Sequence, residues 1–86
     1  MYYVYVLQSK RDSDRFYLRS TVDLRRRLEQ HNQGKVKSTQ GHAWQLVYYE
    51  AYVTESAARS REHKLKHNGR TKRFLMQRIK ESLKTE

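Results

Sequence analysis

The segment YYVYVLQ, Tyr2–Gln8, decides the fold. It is built almost wholly from tyrosine, valine and leucine, and holds no turn former. Such a run reads as a β-strand with both faces covered, and so as the central strand of its sheet. The polar stretch SKRDSDR follows, and then FYLRST, Phe16–Thr21, which reads as a second strand. A connection this short favours an antiparallel hairpin.

Beyond the hairpin the period changes. Thr21 or Asp23 is placed to cap a helix that runs to about Gln33, with Gly34 set to end it. Residues 34–44 read as a loop, and WQLVYYEAYV, Trp44–Val53, as a third strand. Thr54 caps a second helix, Glu55 to about His67, which the Asn68–Gly69 pair should close. A third helix is expected from about Thr71 to Leu83, with Phe74, Leu75 and Ile79 as its apolar stripe. The order β-β-α-β-α-α predicts an α/β domain of the α+β type. A small three-stranded antiparallel sheet is flanked by helices. Residues 1–86 read as a single domain with its core in about 1–80.

The chain carries 19 Lys and Arg against 9 Asp and Glu, a net charge of +10. That excess points to a polyanion, with nucleic acid first among the candidates. The positive charge falls in two blocks, residues 9–37 and 58–86, around a centre without Lys or Arg. Cysteine is absent, which excludes disulfides and thiolate metal sites and suits a reducing cytoplasm. No apolar run approaches the ~20 residues that a bilayer span needs, so no membrane partner is expected.

The helical faces single out particular side chains. With Leu24 at zero, Leu28 and His31 fall on the same face and Arg27 on its shoulder near roughly 300°, while Arg26 looks outward. Arg27 and His31 are therefore neighbours at i and i+4 beside the core. Either Arg27 passes Leu24 to a surface carboxylate, or it grips a phosphate. In the second helix Glu62 shares the inward face of Ala58 and Leu65. A carboxylate there must be paired with a cation or bind a metal. A single carboxylate suits Mg²⁺, which keeps most of its waters. On the strands, Tyr3 and Tyr5 share one face, as do Tyr17 and Arg19.

Taken in order, Tyr-x-Tyr in the first strand, FYLRST, DLRRRLEQHN, WQLVYYEAY and REHKLK resemble the GIY-YIG nuclease superfamily. They are most similar to its small stand-alone members of the UPF0213 type. On this resemblance Tyr5 matches the tyrosine of GIY and Tyr17 that of YIG. Arg27 matches the catalytic arginine, His31 a histidine four residues later, and Glu62 the metal-binding glutamate. Asn68 lies near a polar position that some members use. The resemblance implies hydrolysis of phosphodiesters with one Mg²⁺ or Mn²⁺ on Glu62. Arg27 would hold the phosphate in a fork. A tyrosine, Tyr5 or Tyr17, would take a proton from water. Tyrosine is a poor base at its reference pKa of ~10 and needs cations nearby. Arg15, Arg19 and Arg27 are candidates for that.

Arg19, Lys35, Lys37, Lys64, Lys66, Arg70, Lys72 and Arg73 are expected to contact the nucleic-acid backbone, with DNA favoured over RNA. Two departures from the family pattern stand out. Tyr3 replaces the first glycine of GIY, and Arg19 replaces the glycine of YIG. The second keeps open an alternative, a catalytically silent nucleic-acid-binding module on the same fold. A basic RNA- or ribosome-associated protein unrelated to cleavage is a third reading.

Overall fold

A computed structural model describes residues 1–84. Three strands, β1 (Tyr2–Ser9), β2 (Phe16–Thr21) and β3 (Trp44–Tyr52), form one sheet in the order β2-β1-β3. Both pairings are antiparallel, with an irregularity in the β1–β3 register between Val6 and Leu7. The helices are α1 (Leu24–Asn32), α2 (Glu55–His67) and α3 (Gly69–Leu83). The predicted order β-β-α-β-α-α and the α+β class are those observed.

β1 is central because its side chains are apolar on both faces. Val4 and Val6 point one way, into a core made with Ala58 and Leu65 of α2 and Leu75 and Ile79 of α3. Tyr5 and Leu7 point the other way, into a second core with Trp44, over which Leu24 and Leu28 of α1 pack. All four β1 residues are fully buried. The sheet is thus sandwiched, with α1 on one face and α2 and α3 on the other.

The caps explain where the helices begin. Asp23 Oδ1 accepts from the Arg26 N–H, so Asp23 rather than Thr21 starts α1. Gly34, with φ +75°, lets the chain turn away after it. Thr54 Oγ1 accepts from the Ala57 N–H and starts α2.

Three expectations need correction. The loop after α1 contains a 3-10 turn, Lys37–Thr39. α3 begins at Gly69, not Thr71, because the Asn68 side chain accepts from the Thr71 N–H and serves as its N-cap. Gly69 lacks positive φ, so the Asn68–Gly69 pair joins two helices through a shared cap rather than through a left-handed glycine. Phe74 is not in the core stripe: it is 61% exposed, while Leu75, Ile79 and the partly buried Met76 face inward.

Candidate active site

Antiparallel pairing brings Tyr5 opposite Arg19 and Leu7 opposite Tyr17, so all four share the α1 face of the sheet. Above them, α1 supplies His31 and Arg27. Tyr5 OH lies 2.8 Å from His31 Nε2, and His31 Nδ1 lies 2.8 Å from Thr39 Oγ1. The Thr39 hydroxyl donates to the Val36 carbonyl, which can only accept. Its oxygen must therefore accept from a protonated His31 Nδ1, which leaves Nε2 to accept from Tyr5. The ring of Tyr17 meets His31 edge-on, with centroids 5.1 Å apart.

Both members of the Tyr5–His31 pair are fully buried. Burial pushes the Tyr5 hydroxyl up, against the opposing hydrogen bond and charge of Arg27 and the charge of Arg19. Burial, helped by the positive charge of Arg27, pushes His31 down to about 4. The pair therefore rests as neutral phenol and neutral imidazole. Tyr17 differs, since it is only half-buried and its hydroxyl accepts from Ser38 Oγ at 3.3 Å.

Arg27 is partly buried while Arg25 and Arg26 are exposed, as the helical phase predicts. Among the described residues no surface carboxylate holds it. Its Nη1 donates to Gln30 Oε1 at 3.1 Å.

Glu62 approaches from the other layer, on α2. Its side chain is 16% exposed, and Ser20 Oγ donates to its Oε1. Lys66 Nζ lies 2.8 Å from Oε2, and Arg19 Nε 3.9 Å from the same oxygen. Burial would raise this carboxyl. Hydrogen bonds from Lys66 and Ser20, with the charges of Lys66 and Arg19, overcome that and hold it below its usual value. The expectation that an inward Glu62 needs a cationic partner is met by Lys66 and, more loosely, by Arg19.

Ser20 and Arg19 project from opposite faces of β2, yet both reach Glu62. β2 is an edge strand, so Arg19 must bend round that edge. The residues that the family resemblance singles out fall into two groups. Tyr5, Tyr17, Arg27 and His31 gather on the α1 face, and Glu62 sits at the β2 edge. Among the described residues, the hydrogen bonds and ion pairs of Glu62 go to Ser20, Lys66 and Arg19, none to Arg27 or the tyrosines. Arg19 joins the two groups, because its charge acts on both Tyr5 and Glu62.

An open pocket at this edge is lined by Arg19, Ser20, Glu62, His63, Lys66 and His67, with Arg59 beside them. No cluster of three or more His, Asp or Glu side chains able to cage a metal occurs among the described residues. What the pocket offers is one ionised carboxylate beside a hydroxyl oxygen and open to solvent. That donor set fits a hard cation that keeps its waters, provided Lys66 yields.

The other expected backbone contacts scatter. Lys35 and Lys37 are exposed in the segment that carries Ser38 and Thr39. Lys64 is exposed on α2, and Arg70, Lys72 and Arg73 on the first turns of α3; none of these four lines the Glu62 pocket. Asn68, expected near a polar family position, is the α3 cap.

Sequence reasoning missed Ser20, Ser38, Thr39 and Gln30. Alternation along FYLRST puts Ser20 opposite Arg19 in direction, but nothing local pairs it with Glu62, 42 residues away. Thr39 and Ser38 lie in a segment with no periodic signal.

Residues 1–79 match the GIY-YIG catalytic domain. A UPF0213 protein of Haloquadratum walsbyi (strain DSM 16790 / HBSQ001) is 40% identical over 74 residues, which cover 84% of this chain and 81% of that protein. No solved structure matches. With an aromatic–arginine cluster on one sheet face, a paired glutamate at its edge and this match over nearly its whole length, the chain belongs to the GIY-YIG family, a family of nuclease type.

Proposed function

We propose that the protein is a divalent-metal-dependent endonuclease that hydrolyses phosphodiester bonds in DNA, guided by structure or weakly by sequence. Nucleases of this family generally use divalent metal ions. Here Glu62 would hold one Mg²⁺ or Mn²⁺, with the Ser20 hydroxyl beside it. Such an ion, when bound, supplies charge that stabilises the leaving oxygen and the developing negative charge.

The remaining roles follow from exposure. Arg27, now held by Gln30 and beside the Tyr5 hydroxyl, would present a planar fork to a phosphate, which lysine could not reproduce. Tyr17 is the tyrosine that can face the attacking water, because its hydroxyl reaches the surface beside Ser38. Tyr5 is disfavoured as the base on two counts: it is closed to water, and burial raises its pKa. Its part is to fix the His31 ring, which packs against Tyr17. Lys35, Lys37, Lys64, Arg70, Lys72 and Arg73 would hold the backbone without reading bases. A cytoplasmic location belongs to this reading. No helix among the described residues is long and apolar enough to cross a membrane.

The observation that supports the reading best is Arg19, whose charge acts on Tyr5 and on Glu62 at once. Arg19 lies opposite Tyr5 in the sheet and its side chain reaches towards Glu62, which supports reading the two groups as one site. One observation favours a silent binding module instead: Lys66 and Arg19 already neutralise the carboxylate that a metal would need.

The test is cleavage of branched, flapped, single-stranded and duplex DNA, and of RNA, in Mg²⁺, Mn²⁺ or EDTA. Metal-dependent cleavage of DNA should be lost in Glu62→Ala and Arg27→Ala. Cleavage that survives both changes would place the chemistry elsewhere, and binding without cleavage on every substrate would establish the silent module.

A further inference from the structure

α1 covers its face of the sheet only in part. Leu24 and Leu28 pack over Tyr5, Leu7 and Trp44. Further along β1, where Tyr3 lies opposite Thr21 and Ala51, the face opens. Tyr49 is 55% exposed there and Ala51 is exposed, while Tyr3 is half-buried. The Tyr3 and Tyr49 rings meet edge to face, with centroids 5.9 Å apart. That contact fixes the orientation of Tyr49, so its ring is held ready to be stacked on rather than free to turn.

Register supplies the second half of the argument. Tyr5 pairs with Arg19 on one side and Tyr49 on the other, so Arg19, Tyr5 and Tyr49 form one row across the sheet. Two interstrand steps separate the ends of that row at backbone level, roughly 10 Å. The Arg19 side chain is 51% exposed, and its ion pair with Glu62 is long. The exposed Tyr49 ring and the half-exposed Arg19 guanidinium, which turns round the β2 edge towards Glu62, border the same sheet and suit a base and a phosphate of one strand. Stacking on aromatics combined with cationic backbone contacts is how proteins hold single strands. A protein partner for the patch is disfavoured by the +10 charge of the chain and by Arg19 at its border.

We infer that the Tyr3–Tyr49 pair is a stacking platform for an unpaired nucleobase whose strand runs on to Arg19. That this strand is a substrate rests on the nuclease reading. Given it, the platform selects DNA with an unpaired segment, a flap or overhang, over continuous duplex, whose bases expose no face. Tyr3 then has a use at the position where the family pattern has glycine.

Binding in EDTA tests this without any cleavage. Fluorescence anisotropy would compare single-stranded, flapped and blunt duplex DNA for the native protein, Tyr49→Ala and Tyr49→Phe, each checked for folding by circular dichroism. Tyr49→Ala should weaken single-strand and flap binding about 10-fold while duplex binding stays within about 2-fold. Tyr49→Phe should bind like the native protein. Quenching of 2-aminopurine in the single strand should be lost with Tyr49→Ala. Equal losses on duplex and single strand, or no loss on either, would overturn the proposal. A silent module would pass this binding test, and a nuclease without the platform would cleave yet fail it, so the two readings fail separately.

Discussion

Tyr5 donates its hydroxyl hydrogen to His31 Nε2 across 2.8 Å, although 26 residues separate the two along the chain. Each is fully buried, and each is neutral in the resting fold because burial disfavours its charged form. The bond ties α1 to the central strand, and the Thr39 hydroxyl, which donates to Val36, fixes which His31 nitrogen carries the proton.

The neutrality of His31 makes stability depend on pH in a set direction. Its pKa falls from 6.5 to about 4 on folding. Between those values the unfolded chain binds more protons, so stability is full above the upper value and is lost as pH falls towards the lower one. The loss should be on the order of 2 kcal/mol. Urea unfolding at about pH 7.5 and about pH 4.5 should show a smaller acid-induced loss in His31→Gln than in the native protein. Identical losses would contradict this account.

Lys66 occupies the oxygen of Glu62 that a metal would share. Its pairing is between neighbours at i and i+4 and is partly exposed, so it is worth well under ~1 kcal/mol. Lys66→Ala should lower the Mn²⁺ concentration for half-saturation about 3-fold. Electron paramagnetic resonance of free Mn²⁺ reads this directly. An unchanged or raised value would mean that Lys66 does not compete with the ion.

Arg19 sits in ordinary extended strand backbone, with no positive φ that would call for glycine. Its side chain, not its backbone, is the departure from the family pattern. Arg19→Ala should weaken DNA binding and reduce the slope of log K against log salt by about 1. Faster cleavage by the variant would show instead that the guanidinium obstructs the site.

On the α2 and α3 side, Glu50 accepts both Arg61 Nε and Nη2 at 2.9 Å, and also the hydroxyls of Tyr48 and Tyr52. Burial, then the hydrogen bond and charge of Glu50, push Tyr48 up to about 12. Glu50→Gln would leave Arg61 without a counter-charge and should cost about 2 kcal/mol. Thermal melting should then fall by roughly 10 °C. Cleavage by the folded fraction should be unchanged, since Glu50 faces away from Tyr5 and Tyr17.

Periodicity carried most of the fold. Two-faced apolarity marks Tyr2–Gln8 as central, and the phase of DLRRRLEQHN separates Arg27 from Arg26. Phe74 escaped that logic, because a large apolar residue one step from the core stripe looks the same in sequence whether it turns in or out. Asn68–Gly69 closes α2 as expected, but that it also opens α3 was hidden, because the pair suits a helix end and a helix start equally well and only the bond to Thr71 decides.

Alone, the sequence determined the elements, their order, the central strand and the inward turn of Arg27, His31 and Glu62. Each of these depends on spacing within one strand or helix, which local backbone geometry converts directly into direction. Tertiary structure decided the rest: that Tyr5 is sealed while Tyr17 reaches water, that Lys66 and Ser20 hold Glu62, and that Arg19 rounds the sheet edge to join two groups. Those relationships lie between elements, where strand register and helix docking set the distances, and no pattern in the chain encodes them.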